Sequence, residues 1–548
     1  MKKTWWKEAV VYQVYWRSFY DTNGDGYGDL QGVIEKLDYI KDLGVDVIWL
    51  NPCYESPDID NGYDISDYYQ IMEKAGNMAT WERLLQEVHA RGMKLIMDLV
   101  VNHTSNQHPW FIESRSSKEN PKRDWYIWKD PKEGKEPNNW RSYFTPSVWE
   151  YDQATEQYYM HSFAIEQPDL NWENKEVRQA IYDMMRFWLD KGIDGFRLDV
   201  INLLAKIKGF PDAEHPENIN YLGNNPGIHD YLQEMNREVL QHYDIMTVGE
   251  IPFVTPEDGV LYVGEDRHEL HTLFHFQVAD DMPTWDMKRF KDIQTEWYEG
   301  LKGRGTNSQF LNNHDHTRQV TRYGNDGEYR VASAKLLATM LHTLPGIPYI
   351  YQGEEIGMTG VDLPSIDDYQ DIAMKNKYEE AVKKGGNPKE VLESLKLLTR
   401  DNSRTPIQWD DSEQAGFTTG EPWIKVNPNY KAINVKQALK DPDSVFYYYK
   451  KLIALRKQHP IMVYGDYKDL SIGEENLYVY TRQYQGDYWL VMLNHSNQSN
   501  GFKLAVDFDD ASKQLIIANY SDVTSEASIQ TVALRPHEAR IYQIKKRG

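Results

Sequence analysis

An alternation constrains this chain most: eight short apolar runs, each with a plausible helical segment beside it, recur over roughly 450 residues. The runs fall at Val11–Tyr15, Val45–Leu50, Leu95–Val101, Gly195–Val200, Ile245–Glu250, Leu273–Gln277, Ser308–Asp315 and Ile347–Glu355. The early ones are apolar nearly throughout, as parallel strands covered on both faces should be. Right-handed crossovers permit a closed barrel or a doubly wound sheet, and eight units favour an α/β fold of the (β/α)8 type with long loop insertions.

Two stretches break the pattern. Residues 104–171 are rich in Trp, Tyr, Lys, Asn and Pro and carry short strand-like pieces such as QYYMHSF. That is too long and too aromatic for a simple loop, so an inserted small domain is expected there. After the helix ending near Lys457 the chain becomes short apolar runs separated by Gly, Asn and Asp, the signature of an antiparallel β domain. The expected division is a barrel over 1–103 and 172–461, an inserted domain over 104–171, and a C-terminal β-sandwich over 462–548.

Composition narrows the partners. The charge balance of 61 basic against 84 acidic residues, net -23, weighs against nucleic acid and anionic lipid surfaces. One Cys excludes an intrachain disulfide scaffold. The segment MKKTWWKEAVVYQVYW lacks the apolar core of a signal peptide, and no run reaches membrane-spanning length. A cytoplasmic protein, monomeric or weakly homodimeric, is expected.

In such a barrel the chemistry gathers where strands end. Here those ends carry Asp98, Asn102 and His103, then Arg197 and Asp199, then Glu250, then His314 and Asp315, with Asp60, Tyr63 and Asp64 after the second run. One such carboxylate is usually a helix cap or a surface ion pair; several around one mouth suit cleavage of a glycosidic bond. An acetal needs a proton on its leaving oxygen and a negative charge facing the oxocarbenium carbon, hence two carboxyl groups in different protonation states. Strand period two puts Arg197 and Asp199 on one face, so the guanidinium is expected to keep Asp199 ionised as nucleophile. Glu250 is the expected acid, with desolvation and nearby carboxylates raising its pKa.

A second signal is DTNGDGYGD. Asp21, Asn23, Asp25, the Tyr27 carbonyl and Asp29 fall at alternate loop positions with Gly26 between, most of a calcium-loop pattern. Position 12 is Gly32, so this is no EF-hand. The expectation is a structural Ca2+ or Mg2+, set against a plain Asp/Gly-rich turn, and no cofactor for catalysis. Cys53 reads as a small buried hydrophobe.

Nearly the whole chain resembles the α-amylase superfamily, glycoside hydrolase family 13, in its oligo-1,6-glucosidase and α-glucosidase branch. The motifs in order are DLVVNH at 98–103, QPDLN at 167–171, GFRLDV at 195–200, TVGE at 247–250 and NNHD at 312–315. The resemblance implies a retaining double displacement with Asp199 as nucleophile, Glu250 as acid and then base, and Asp315 binding and distorting the sugar ring. It implies that His103, His314 and Gln167 belong to the sugar site, that Tyr63 stacks on glucose, and that Arg197 orients Asp199. It also implies that Asp60 and Arg404 close the pocket around the non-reducing end, which makes the enzyme exo-acting on small oligosaccharides.

Val200, directly after Asp199, resembles the residue of α-1,6-acting members and suggests isomaltose and short isomalto-oligosaccharides as substrates. A maltase-like α-1,4-preferring or broad α-glucosidase is the main alternative. YQGEE at 351–355 and the lack of an arginine-rich segment after Asp315 speak against a sucrose isomerase, and Pro168 against a trehalose-6-phosphate hydrolase. Trp16, His316, Thr317, Thr306 and a short Val278–Arg304 stretch depart from the pattern of close relatives.

Overall fold

The computed structural model describes residues 3–506, 508–524 and 528–545. Eight parallel strands form one sheet: β1 Val11–Val14, β2 Val47–Leu50, β3 Lys94–Leu99, β4 Gly195–Leu198, β5 Met246–Glu250, β6 Thr272–Phe274, β7 Ser308–Gln309 and β8 Ile347–Tyr351. Their spatial order runs β6-β5-β4-β3-β2-β1-β8-β7. A parallel bridge between Leu273 and Asn307 joins its two ends, so the sheet closes into the expected barrel.

The strand sequences explain the layering. Val11, Val47, Trp49, Ile96, Met246, Val248, Phe274, Ile347 and Tyr349 pack together as one buried cluster, as side chains of alternating strand positions do inside a barrel. The outer faces of the same strands join a second, larger core with the surrounding helices, such as Lys175–Asp190 through Val177, Ile181, Met185 and Trp188. Each such buried apolar side chain contributes about 1.5–3 kcal/mol. Gly195 opens β4 at φ 144, where a Cβ would lie 1.8 Å from the Met246 carbonyl oxygen, so no other residue fits between β4 and β5.

Several strands end earlier than the sequence pattern suggests, β4 at Leu198, β6 at Phe274 and β8 at Tyr351 among them. The run at 308–315 is extended only over Ser308–Gln309. Gln309 pairs with Pro348, which has no N–H to offer, and the ladder stops there. Likewise β3 ends at Leu99, leaving Asn102 and His103 on the following loop. The apolar run read as strand was thus longer than the hydrogen-bonded ladder.

Beyond β3 the chain forms a three-stranded antiparallel sheet from Trp128–Lys129, Gln157–Met160 and Trp149–Asp152. After β8 it runs through the helices Ile372–Lys383 and Pro388–Lys396. From Asp466 onward a five-stranded antiparallel sheet packs against a two-stranded one over a core of Leu477, Leu490, Phe502, Leu534 and Tyr542. No helix among the described residues is long and apolar enough to cross a membrane.

Candidate active site

The barrel's register assembles the centre. Asp98 on β3 stands directly beside Arg197 on β4, and Arg197 beside Val248 on β5. Glu250 ends β5, and Asp199 follows β4 by one residue. Arg197 therefore sits amid three carboxylates: Nη1 donates to Asp98 Oδ1 at 2.5 Å and Asp199 Oδ1 at 2.6 Å, while Nη2 lies 2.6 Å from Glu250 Oε2. All four groups are nearly buried.

One guanidinium does not neutralise three carboxylates. Burial pushes Asp98 up to about 6, with Glu250 adding and Arg197 and the Trp49 N–H opposing. Burial likewise pushes Asp199 well above the ordinary carboxylate range; Arg197 opposes this, and Glu250 and Asp98 reinforce it. Arg197 thus favours the ionised Asp199, as expected, but works against burial and two neighbouring carboxylates.

Asp315 is held in the opposite state. Burial would raise it, but His314, Arg404 and Arg400 together bring it well below the ordinary range. His314 is fixed from behind. The Gln13 amide donates to its Nδ1 at 2.9 Å, which places the ring proton on Nε2, 3.0 Å from Asp315 Oδ2. Burial keeps this imidazole neutral. Tyr63 lies parallel to it at 5.3 Å, and the Tyr63 hydroxyl is 2.7 Å from Nε2.

A cavity of about 260 Å3 opens over these groups, lined by Asp60, Tyr63, His103, Asp199, Val200, Glu250 and Asp315 among the residues foreseen. Arg197, His314, Gln167 and Arg404 stand behind its wall. Gln167 Nε2 lies 3.2 Å from both Asp60 Oδ2 and His103 Nε2, so it braces two lining residues. His103 Nε2 reaches the Tyr63 carbonyl at 3.1 Å. The sequence reading missed the aromatic rim of Tyr143, Phe144, Phe163, Phe253 and Phe276. Such side chains are spread across distant segments, and no local pattern joins them.

One assignment is corrected outright. Asp60 pairs with Arg400, through Nη1 at 3.1 Å, and not with Arg404. Arg404 donates from Nε to the His314 carbonyl at 2.9 Å and from Nη2 to Asp315 at 2.7 Å. The two arginines are one helical turn apart in TRDNSR, and the resemblance pointed to Arg404 only.

The loop at Asp21–Asp29 lies elsewhere. Asp21 accepts the backbone N–H groups of Asn23, Gly24 and Gly26, at 3.0, 2.8 and 2.8 Å, and Asp29 accepts those of Thr22 and Gly32. Both carboxylates are 5% exposed. Among the described residues neither has a Lys, Arg or His partner within 4 Å. No group of three His, Cys, Asp or Glu side chains poised for a metal occurs among those residues. Cys53 is buried, its thiol pushed up to about 12 by burial.

A barrel with a buried carboxylate set at the carboxyl ends of its strands, under a small open cavity, is a glycoside hydrolase. The chain belongs to the α-amylase family: residues 13–465 match the family model described as alpha amylase, catalytic domain. Within that family it is 56% identical, over the full length of both chains, to an oligo-1,6-glucosidase of Parageobacillus thermoglucosidasius. Among solved structures, an isomaltulose synthase from Protaminobacter rubrum superposes with a TM-score of 0.97 at 44% identity, covering all of both chains. A trehalose-6-phosphate hydrolase from Bacillus licheniformis gives 0.95 at 48% identity, covering 99% of this chain and 100% of that one.

Proposed function

We propose that this enzyme is a retaining, exo-acting α-glucosidase that removes terminal glucose from α-1,6-linked isomaltose and short isomalto-oligosaccharides. The observation that carries the reading is Arg197, whose two Nη atoms face Asp199 and Glu250 separately. In the double displacement Asp199 attacks the anomeric carbon as the Glu250 carboxyl protonates the departing oxygen. Glu250, now a carboxylate, takes a proton from water, which attacks the same carbon and frees Asp199. Two inversions leave the anomeric configuration unchanged. Asp315, ionised beside a neutral His314, accepts hydrogen bonds from sugar hydroxyls, and the Asp60–Arg400 pair blocks the pocket beyond the non-reducing end.

The pocket's charge supports a neutral substrate. Asp60, Asp199, Glu250, Asp280 and Asp315 line it against a single guanidinium, Arg400, which is already engaged with Asp60 and Asp371. A sugar phosphate would meet five carboxylates and no uncommitted cation among the described lining residues. The full-length likeness to an oligo-1,6-glucosidase supports the α-1,6 linkage. The deciding experiment is a panel of isomaltose, maltose, sucrose and trehalose 6-phosphate. The expected kcat/KM ratio of isomaltose to maltose exceeds one, and sucrose gives no isomerised disaccharide. A ratio below one, or isomaltulose as main product, overturns this substrate assignment.

A divalent ion at Asp21–Asp29 belongs to the same proposal. The donors are all oxygen, which suits Ca2+ or Mg2+, and the buried carboxylates of Asp21 and Asp29 have no basic partner among the described residues to offset their charge. Such an ion would stabilise the loop and take no part in the chemistry. Chelation by EDTA is expected to lower the melting midpoint, and Asp21→Asn to abolish that difference.

A further inference from the structure

Asp371 does not line the pocket, yet its carboxylate is committed toward it. It is 2% exposed and precedes the helix Ile372–Lys383. Oδ1 accepts from Arg400 Nε at 2.8 Å and from the Ala373 N–H at 3.0 Å. Oδ2 accepts from the Arg400 N–H at 2.9 Å and from Thr399 Oγ1 at 3.3 Å. One carboxylate thus caps a helix and grips Arg400 by both backbone and side chain.

What remains of Arg400 faces the sugar end of the pocket. Nη1 is 3.1 Å from Asp60 Oδ1 and 3.7 Å from Asp315 Oδ1, and the guanidinium lies over the Phe144 ring at 4.9 Å. Nη2 is buried and without a hydrogen-bond partner among the described residues. The capped helix also touches this corner: Asn376 Nδ2 donates to the Phe144 carbonyl at 3.2 Å, and Glu380 pairs with Arg141 at 3.5 Å. The helical excursion after β8, the insertion after β3 and the loop carrying Asp60 therefore meet at Arg400.

We propose that Asp371 is a positioning residue for recognition of the terminal glucose: it locks the Arg400 guanidinium edge-on to Asp60, so that the far wall of the pocket is rigid before sugar arrives. A free arginine side chain has many rotamers, and Asp315 offers Arg400 a second acceptor close by. Fixing Nε on Asp371 leaves only the Nη edge to face the pocket, which removes that choice. This inference rests on the reading of the cavity as a glucose pocket.

Asp371→Asn separates positioning from capping. Asn caps a helix as well as Asp does, but it brings no charge to Arg400. The expected result is a melting midpoint near that of wild type, with KM for isomaltose and the competitive Ki for glucose both raised about tenfold and kcat changed much less. Arg400→Lys should raise them similarly, and the double variant no further, because both changes break one interaction. Should Asp371→Asn fold poorly, Arg400→Lys carries the same test alone, and an unchanged glucose Ki there overturns the inference. Wild-type enzyme not inhibited competitively by glucose would overturn the glucose-pocket reading and this inference with it. Wild-type enzyme so inhibited, beside an Asp371→Asn variant with unchanged KM and Ki or losses that add in the double variant, would overturn this inference alone.

Discussion

The backbone N–H of Val200 donates to Oε2 of Glu250 at 3.0 Å, so the residue after the nucleophile also holds the acid. To do so Val200 adopts φ 33 and ψ 46, left-handed values that a β-branched residue adopts at a cost of about 1–3 kcal/mol. Its side chain lines the cavity beside Asp199. Val200→Ala keeps the N–H and removes two methyl groups from this wall. The expected outcome is a fall of about tenfold in the kcat/KM ratio of isomaltose to maltose. An unchanged ratio would show that Val200 does not discriminate linkage.

Arg404 and Arg400 divide the work on the sugar side, and their variants should part accordingly. Arg404 is 1% exposed and holds Asp315, so Arg404→Lys is expected to lower kcat/KM by about 10–100-fold, mostly through kcat. Arg400→Ala, which leaves Asp60 alone at the pocket's end, is expected to act mostly through KM. Steady-state kinetics on isomaltose distinguishes them. Equal effects on both parameters in both variants would contradict the division.

The site's charged groups were largely legible because the barrel puts strand ends at one rim, and Asp98, Arg197 and Glu250 sit at those ends by simple alternation. Their protonation was not legible, since it depends on how many carboxylates share one guanidinium, and that number comes from register across three strands. The pairing of Asp60 with Arg400 was not legible either, because it joins loops 340 positions apart and Arg404 lies one turn away. The barrel followed from periodicity, and the shortness of β7 from Pro348, which sits on its neighbour and not on β7 itself.

Stability should fall in mild acid. Burial depresses His108, His275 and His495 to about 3 and His342 to about 4. The unfolded imidazole titrates near 6.5, so the stability these residues contribute is present above that pH and lost as pH falls toward 3–4. At pH 5 each costs about 2 kcal/mol. Asp64 and Asp98, raised by burial to about 6, act oppositely: their contribution is present in acid and is lost as pH rises through 6. Asp280, also raised to about 6, and Asp199, raised further, add to the carboxyl side at about 1.4 kcal/mol each between pH 6 and 5. But His271, His316 and His537, at about 4, add to the four histidines, and the histidines remain the larger sum. The melting midpoint should drop by several degrees from pH 7 to pH 5. A midpoint that holds or rises would contradict this balance.

The double displacement on Asp199 is tested most directly by the configuration of the first glucose released from isomaltose, followed by proton NMR before mutarotation. The expected first product is α-glucose, with Asp199→Asn reducing its release by orders of magnitude while the fold is retained. Initial release of β-glucose, or near-wild-type turnover by Asp199→Asn, would contradict the assignment of Asp199 as the nucleophile.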